Sequence, residues 1–238
     1  MVGTLYLGTS GFGYPEWKGG FYPEDLKDAD MLSFYAGRFP SVEINYTFRR
    51  SPAPTTLTRW AESTREGFRF ALKAHQRITH TRRLAGTDTE VSDFLDRART
   101  LGDRLGPILF QCPPSLRYDR ARLEAFLAYL PPTFRYAMEF RHPSWEEARP
   151  LLDEQGVAWC FAETDEMPDD ASPILSAPFA YLRLRKDEYA DEDLARWAER
   201  IGTALAEGSD VYAYVKHEGD ASAPGYAEGL MKLLEGAT

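Results

Sequence analysis

The sequence predicts an α/β protein that folds as a single (β/α)8 TIM-type barrel over residues 1–238. Three observations predict it: eight short β-rich runs, helical spacing of apolar residues between them, and a length that suits one closed barrel. An open, doubly wound sheet fits less well, because the glycine-rich segment at 8–13 leads into Pro15 and Trp17 instead of a helix.

Each predicted strand is short and rich in β-branched or aromatic residues. The eight runs are residues 5–9, 42–45, 68–73, 108–111, 136–140, 157–161, 180–184 and 211–215. Between them, apolar residues recur every three or four positions, as in the helix that Asp119 is predicted to cap. A further helix is expected to begin at Pro143 and Ser144, whereas the proline-rich segment 163–178 is expected to hold little helix.

Composition excludes several classes of protein. The net charge is -9, which disfavours general binding of duplex nucleic acid but permits a local basic pocket. Cys112 and Cys160 lie in apolar runs and are expected to be buried free thiols. With no leader-like start and no long apolar stretch, the chain is expected to be cytoplasmic and not to bind a membrane.

Strand parity predicts where the polar side chains point. Phe68, Phe70 and Leu72 form one face of the third strand, which should pack on the helices and send Lys73 into the barrel mouth. The same argument turns other charged and amide groups inward at the carboxyl ends of their strands. They are Glu43, Asn45, Glu139, Arg141, Arg183 and Arg185, while Gln111 ends the fourth strand and Lys216 and His217 end the eighth. Barrels of this kind place their chemistry at that end, so we expect most of these groups to share a site.

The residue types indicate a mixed-charge pocket. Nearby cations should keep Glu43 and Glu139 ionised and suited to act as bases, while Lys73 is a candidate proton donor, anion anchor or nucleophilic amine. His142, just past a strand end, is a further catalytic candidate, although it could instead cap the next helix. An internal ion-pair network that only stabilises the barrel is the structural alternative.

Substrate contacts are expected from arginine forks and from groups in the loops around the mouth. The candidates are Ser10, Tyr14, Trp17, Asn45, Gln111, Arg141, Arg183, Lys216 and His217. Most aromatic residues in the first loops are expected to be packing residues, with a few lining the pocket. No histidine spacing is typical of a metal site, and the pattern names neither a cofactor nor an oligomeric state.

The assembled motifs resemble the family called domain of unknown function 72, or YecE-like proteins. The resemblance runs nearly end to end and is carried by several segments. They are Gly8-Thr9-Ser10-Gly11, Val42-Glu43-Ile44-Asn45-Tyr46-Thr47-Phe48, Gln111-Cys112-Pro113-Pro114 and Glu139-Phe140-Arg141-His142-Pro143-Ser144-Trp145. It implies a TIM-type barrel and no settled activity. Many relatives have two asparagines where Lys216 and His217 stand, so a relative's ligand is an unsafe guide here.

Three functions follow from these observations. The first is an enzyme, such as a hydrolase or lyase, that acts on a small phosphate- or carboxylate-bearing substrate through glutamate acid/base groups and Lys/Arg anchors. The second is a metal-assisted phosphodiesterase or nuclease, by analogy with barrels that cut damaged DNA. The third is a non-catalytic protein that binds nucleotides or single-stranded nucleic acid.

Overall fold

The computed structural model describes residues 2–165, 179–216 and 221–236, and it contains eight parallel strands in the order β1-β8-β7-β6-β5-β4-β3-β2. The strands are β1 Leu5–Thr9, β2 Ser41–Ile44, β3 Arg69–Lys73, β4 Leu105–Gln111, β5 Tyr136–Glu139, β6 Ala158–Glu163, β7 Phe179–Leu184 and β8 Asp210–Val215. They form a nearly closed barrel surrounded by helices, which confirms the predicted fold class.

Seven α-helices lie in the described part of the chain. They are α1 Met31–Arg38, α2 Pro54–Glu62, α3 Asp88–Ala98, α4 Arg120–Leu127, α5 Arg149–Glu154, α6 Asp191–Ala206 and α7 Ser222–Gly236. The predicted cap is confirmed, because the Asp119 carboxylate accepts a hydrogen bond from the backbone N–H of Arg122 at 3.0 Å. Most of the segment after β6, residues 166–178, is outside the described residues, so the expectation of little helix there stays a prediction.

Two element boundaries differ from the sequence prediction. β4 begins at Leu105, three residues early, because the strand includes Gly106 and Pro107. A Cβ at Gly106 would lie 3.2 Å from the Phe70 carbonyl oxygen, so glycine suits the close approach to β3. The helix predicted at Pro143 is a 3-10 turn, Pro143–Ala148, that leads into α5.

The buried residues form two groups, one on each side of the barrel wall. Phe70 and Leu72 face the helices, in the larger hydrophobic cluster, whereas Ala71 belongs to a smaller cluster enclosed by the strands. That inner cluster contains Ala71, Leu109, Ala137, Ala158, Cys160, Phe179, Tyr181, Tyr212 and Tyr214. The predicted parity is therefore confirmed, and both cysteines are buried free thiols.

The barrel closes between β1 and β2 through a side chain. These strands share one isolated bridge, between Ser10 and Glu43. Just before it, the buried Tyr35 hydroxyl of α1 accepts a hydrogen bond from the Thr9 N–H at 2.8 Å and donates to the Ser41 carbonyl at 3.1 Å. The phenol thus satisfies buried backbone groups that a strand ladder would otherwise pair.

No helix in the described ranges combines the length and apolar character that crossing a membrane requires.

Candidate functional site

Charged side chains from β2, β5 and β7 meet inside the barrel at the carboxyl ends of the strands. Arg183 of β7 donates from Nη2 to Glu43 Oε1 at 2.9 Å and from Nη1 to Glu139 Oε2 at 2.6 Å. Each of the three residues is at most 1% exposed. Arg183 therefore bridges two buried carboxylates across the barrel, and those charges raise its own pKa well above the usual value although burial acts to lower it.

Glu43 is surrounded by donors. Besides Arg183, its Oε1 accepts hydrogen bonds from the Ser10 hydroxyl at 3.1 Å and Asn45 Nδ2 at 3.0 Å, and its Oε2 accepts one from the Tyr181 hydroxyl at 2.9 Å. Burial acts to raise the pKa of Glu43, but the Arg183 charge and the Tyr181 hydrogen bond outweigh it and lower the pKa. These contacts leave Glu43 little surface to offer a ligand.

Glu139 is held ionised by two arginines. Its second oxygen accepts a hydrogen bond from Arg141 Nε at 2.9 Å, on a side chain that is 39% exposed. Burial acts to raise the pKa of Glu139, yet Arg183 and Arg141 together hold it at about 2. A carboxylate with so low a pKa is a weak base, so its clearest role is to position Arg141 and Arg183.

Lys73 lies beside this network and forms no ion pair with the residues that the structure describes. No carboxylate of the described residues lies within 4 Å of its Nζ, which sits 4.3 Å from the centre of the Phe48 ring. Burial and the Arg183 charge lower the pKa of Lys73 to about 8, against the opposite influence of Glu43 and Glu139. The pKa of Lys73 is thus closer to neutral pH than that of a solvated lysine.

A cavity of about 900 Å³ opens onto one side of the cluster. Six of its lining residues are Glu139, Arg141, His142, Trp159, Arg185 and Lys216. Burial, followed by the Arg183 charge, lowers the pKa of Arg185. Lys216 Nζ lies 3.7 Å from Asp187, an acidic residue that also lines the cavity.

The structure brings most of the predicted site residues together. Direct hydrogen bonds connect Ser10, Glu43, Asn45, Gln111, Glu139, Arg141 and Arg183. Tyr14 lies next to this group, since its hydroxyl donates to the Ser10 carbonyl at 2.7 Å. His217 is outside the described residues.

Trp17 has a different environment from the one expected, and His142 has the capping contact that was left open as an alternative. Trp17 is fully buried and packs against Tyr14 and Tyr22, so its expected contact with a ligand needs correction. The loop is dense in aromatic residues, and the indole fills its interior. His142 lines the cavity, but its Nδ1 accepts a hydrogen bond from the Ser144 N–H at 3.2 Å and so caps the 3-10 turn.

Sequence reasoning missed Tyr181 as a member of the site. Tyr181 lies two residues before Arg183 in β7 and therefore shares its inward face. The same parity argument that selected Arg183 could have found it. A tyrosine in an apolar strand gives no further sign that its hydroxyl bonds a buried carboxylate.

No group of three or more His, Cys, Asp or Glu residues suited to hold a metal ion is found within the described ranges.

Comparison with known proteins gives matches over almost the whole chain. The family described as "Protein of unknown function DUF72" matches residues 6–238. YecE of Escherichia coli K12 is 32% identical over 161 residues, 64% of this chain, and YunF of Bacillus subtilis is 27% identical over 167 residues, 67% of it. Each match covers 57% of the relative, so the chain spans little more than half the length of these curated relatives.

Two solved structures share the fold. A DUF72 family protein from Thermotoga maritima is similar with a TM-score of 0.86 and 26% identity, covering 98% of this chain and 99% of that one. A DUF72 family protein from Enterococcus faecalis has a TM-score of 0.80 at 17% identity, covering 98% of this chain and 96% of that one.

Proposed function

The chain belongs to the DUF72 family, and we propose that it is an enzyme that acts on a small phosphate- or carboxylate-bearing substrate at the carboxyl end of the barrel. The observation that carries the proposal is the buried charge cluster beside the cavity. It places two ionised glutamates among Arg183, Arg141, Arg185 and Lys73, and two of these cations, Arg141 and Arg185, line the cavity. Guanidinium groups are matched to the paired oxygens of phosphate and carboxylate.

Three further acidic residues, Glu146, Asp165 and Asp187, also line the cavity, and two of them lie beside a cation. Glu146 forms an ion pair with Arg149 at 2.6 Å, and Asp187 lies 3.7 Å from Lys216. The charges of Glu146 and Asp187 are therefore partly neutralised by neighbouring cations. Inside the cluster, the four cations lie near two carboxylates, Glu43 and Glu139. We assign Arg141 and Arg185 as the anion anchors because both line the cavity.

Lys73 is the proposed proton-transfer group. A pKa of about 8 leaves substantial amounts of both the ammonium and the amine near neutral pH, which suits a general acid or base. Glu139, with a pKa of about 2, is less suited to that task than the sequence suggested. Glu43 and Glu139 instead orient the arginines that would hold the substrate.

Calorimetric titration with inorganic phosphate, glycerol phosphate and succinate tests the binding step. Arg185→Gln is expected to weaken binding about tenfold, the loss of about 1.4 kcal/mol that one charge-assisted contact supplies. Arg59→Gln, on the exposed face of α2, is the matched control and should bind like the parent protein. The proposal is contradicted if the Arg185→Gln variant binds these anions as tightly as the parent protein does, or if the parent protein binds none of them.

A panel of phosphate monoesters, phosphate diesters and carboxylate esters tests the chemical step. Lys73→Met should abolish any turnover found, and the pH profile of the parent protein should show a transition near pH 8. Turnover that survives this substitution would assign the chemistry to another group.

A further inference from the structure

A second cavity, of about 820 Å³, lies at the opposite end of the barrel, where the strands begin. Its walls include Arg69, the first residue of β3, together with Arg104 and Arg135, which immediately precede β4 and β5. Arg99 at the end of α3 completes a set of four arginines. This end of a TIM-type barrel ordinarily contributes to stability, so a polar cavity there requires an explanation.

The cavity has an aromatic wall. Tyr6 and Tyr212 stack with ring centres 4.5 Å apart and an angle of 12° between the planes. The Arg69 guanidinium lies 5.6 Å from the centre of the Tyr6 ring, and that of Arg135 lies 5.9 Å from the Tyr212 ring. Cation–π attraction favours these positions of the two guanidinium groups, and the ordering that a ligand would otherwise have to impose is reduced.

Two of the arginines have charge that no carboxylate of the described residues neutralises. Arg135 binds Asp210 at 2.6 Å, and Arg99 lies 3.9 Å from Asp96. In contrast, neither Arg69 nor Arg104 has a carboxylate partner within 4 Å in the described part of the chain.

The Nε atom of Arg104 is buried and has no hydrogen-bond partner among the described residues, a state that costs free energy unless an acceptor is supplied. Across the cavity wall, the four guanidinium groups face two lining carboxylates, those of Glu66 and Asp103. With Arg135 and Arg99 paired to Asp210 and Asp96, the guanidinium groups of Arg69 and Arg104 remain, and no ion pair in the described part of the chain joins them to Glu66 or Asp103.

We infer that this cavity is an anion site for a phosphorylated ligand, with Arg69 and Arg104 as the phosphate-binding residues. Forked guanidinium donors fit phosphate oxygens, and a phosphate would supply both the missing charge and an acceptor for Arg104. The site is separate from the proposed active site, because the two cavities share no lining residue and open at opposite ends of the strands.

Titration with pyrophosphate and with ATP, followed by calorimetry, tests the inference. Arg69→Gln and Arg104→Gln are each expected to weaken binding at least tenfold, and Arg104→Lys should lose less because it retains the charge. Arg59→Gln on α2 controls for general surface charge, and Arg185→Gln controls for binding at the other cavity. Circular dichroism and the thermal midpoint establish that each variant is folded.

The outcomes separate the two sites. Loss in the Arg69 and Arg104 variants of a binding event that Arg185→Gln retains supports a site at the amino-terminal end, whether or not a second event depends on Arg185. Loss in Arg185→Gln alone assigns the anion to the other cavity and overturns the inference. Absence of pyrophosphate and ATP binding to the parent protein, or equal binding by all variants, also overturns it.

Discussion

Replacing Arg183 with methionine removes the cation that bridges Glu43 and Glu139, at 2.9 and 2.6 Å, and leaves two carboxylates in an enclosed space. Removing one partner of a buried pair costs about 3–5 kcal/mol. The loss of two pairs is expected to cost less than twice that range, because Glu139 keeps its contact with Arg141 and Glu43 keeps the Tyr181 hydroxyl. The expected loss is still a large part of the 5–15 kcal/mol that is typical of a folded domain.

The pH dependence of this loss has a definite sign. In the parent protein the pKa of Glu139, about 2, lies below its unfolded value, so its contribution is present above the unfolded pKa and disappears as the pH falls toward 2. Without Arg183, burial dominates and raises the carboxyl pKa values above those of the unfolded chain. The native variant then binds protons more readily, and its deficit should be smaller at pH 5 than at pH 7.5.

Urea unfolding of both proteins at these two pH values measures the effect. Adding Glu139→Gln to Arg183→Met should restore part of the lost free energy of unfolding, because one of the two buried carboxylates that lost Arg183 is removed. Arg120→Gln, in the exposed pair with Glu124, is the matched arginine control and should leave stability unchanged. A loss below about 1 kcal/mol, or one that is the same at both pH values, would refute the idea that burial governs this network.

Three other experiments, one titration and two substitutions, test separate parts of the structure. The amine of Lys73, followed by NMR after isotopic methylation, should titrate near pH 8, and a value near 10 would show that it is solvated. Tyr35→Phe should reduce the free energy of unfolding by about 1–3 kcal/mol in urea titrations. The reason is that the Thr9 N–H loses its acceptor and the Ser41 carbonyl loses a donor. An unchanged midpoint would mean that water replaces the phenol hydroxyl. Asp119→Ala should cost about 1 kcal/mol through loss of the α4 cap, as measured by thermal unfolding, whereas Asp119→Asn should retain most of it.

The sequence was sufficient to predict the fold and several of the inward side chains, although Tyr181 was missed. Alternation is a local property of an extended chain, so Phe70 and Leu72 on one face identified Ala71 as inward without any knowledge of its neighbours. Applied to β7, the same reasoning placed Arg183 inside the barrel, where it is 1% exposed. Parallel strands then bring such residues to one end of the sheet.

Properties that depend on distances between strands were beyond the sequence. Glu43 and Glu139 were correctly expected to be ionised, but the pKa of about 2 at Glu139 depends on two arginines that reach it together. The sequence could not show whether Trp17 packs inside its loop or lines a pocket, because aromatic residues are common in both positions. For His142 the sequence could not choose between a capping role and a place at the cavity, and the structure shows both: one imidazole nitrogen caps a turn while the residue lines the cavity.

The contact of Tyr35 with β1 and β2 couples the outer layer of the molecule to the inner ring. A Cβ on Gly8 would lie 2.0 Å from the Ser41 carbonyl oxygen, so the two strands are already in close contact where the phenol enters. A replacement that displaces α1 is therefore expected to change the spacing of these strands, and with it the position of Glu43, two residues after Ser41. Mutational tolerance in this helix is consequently a question about the barrel's interior as much as about its exterior.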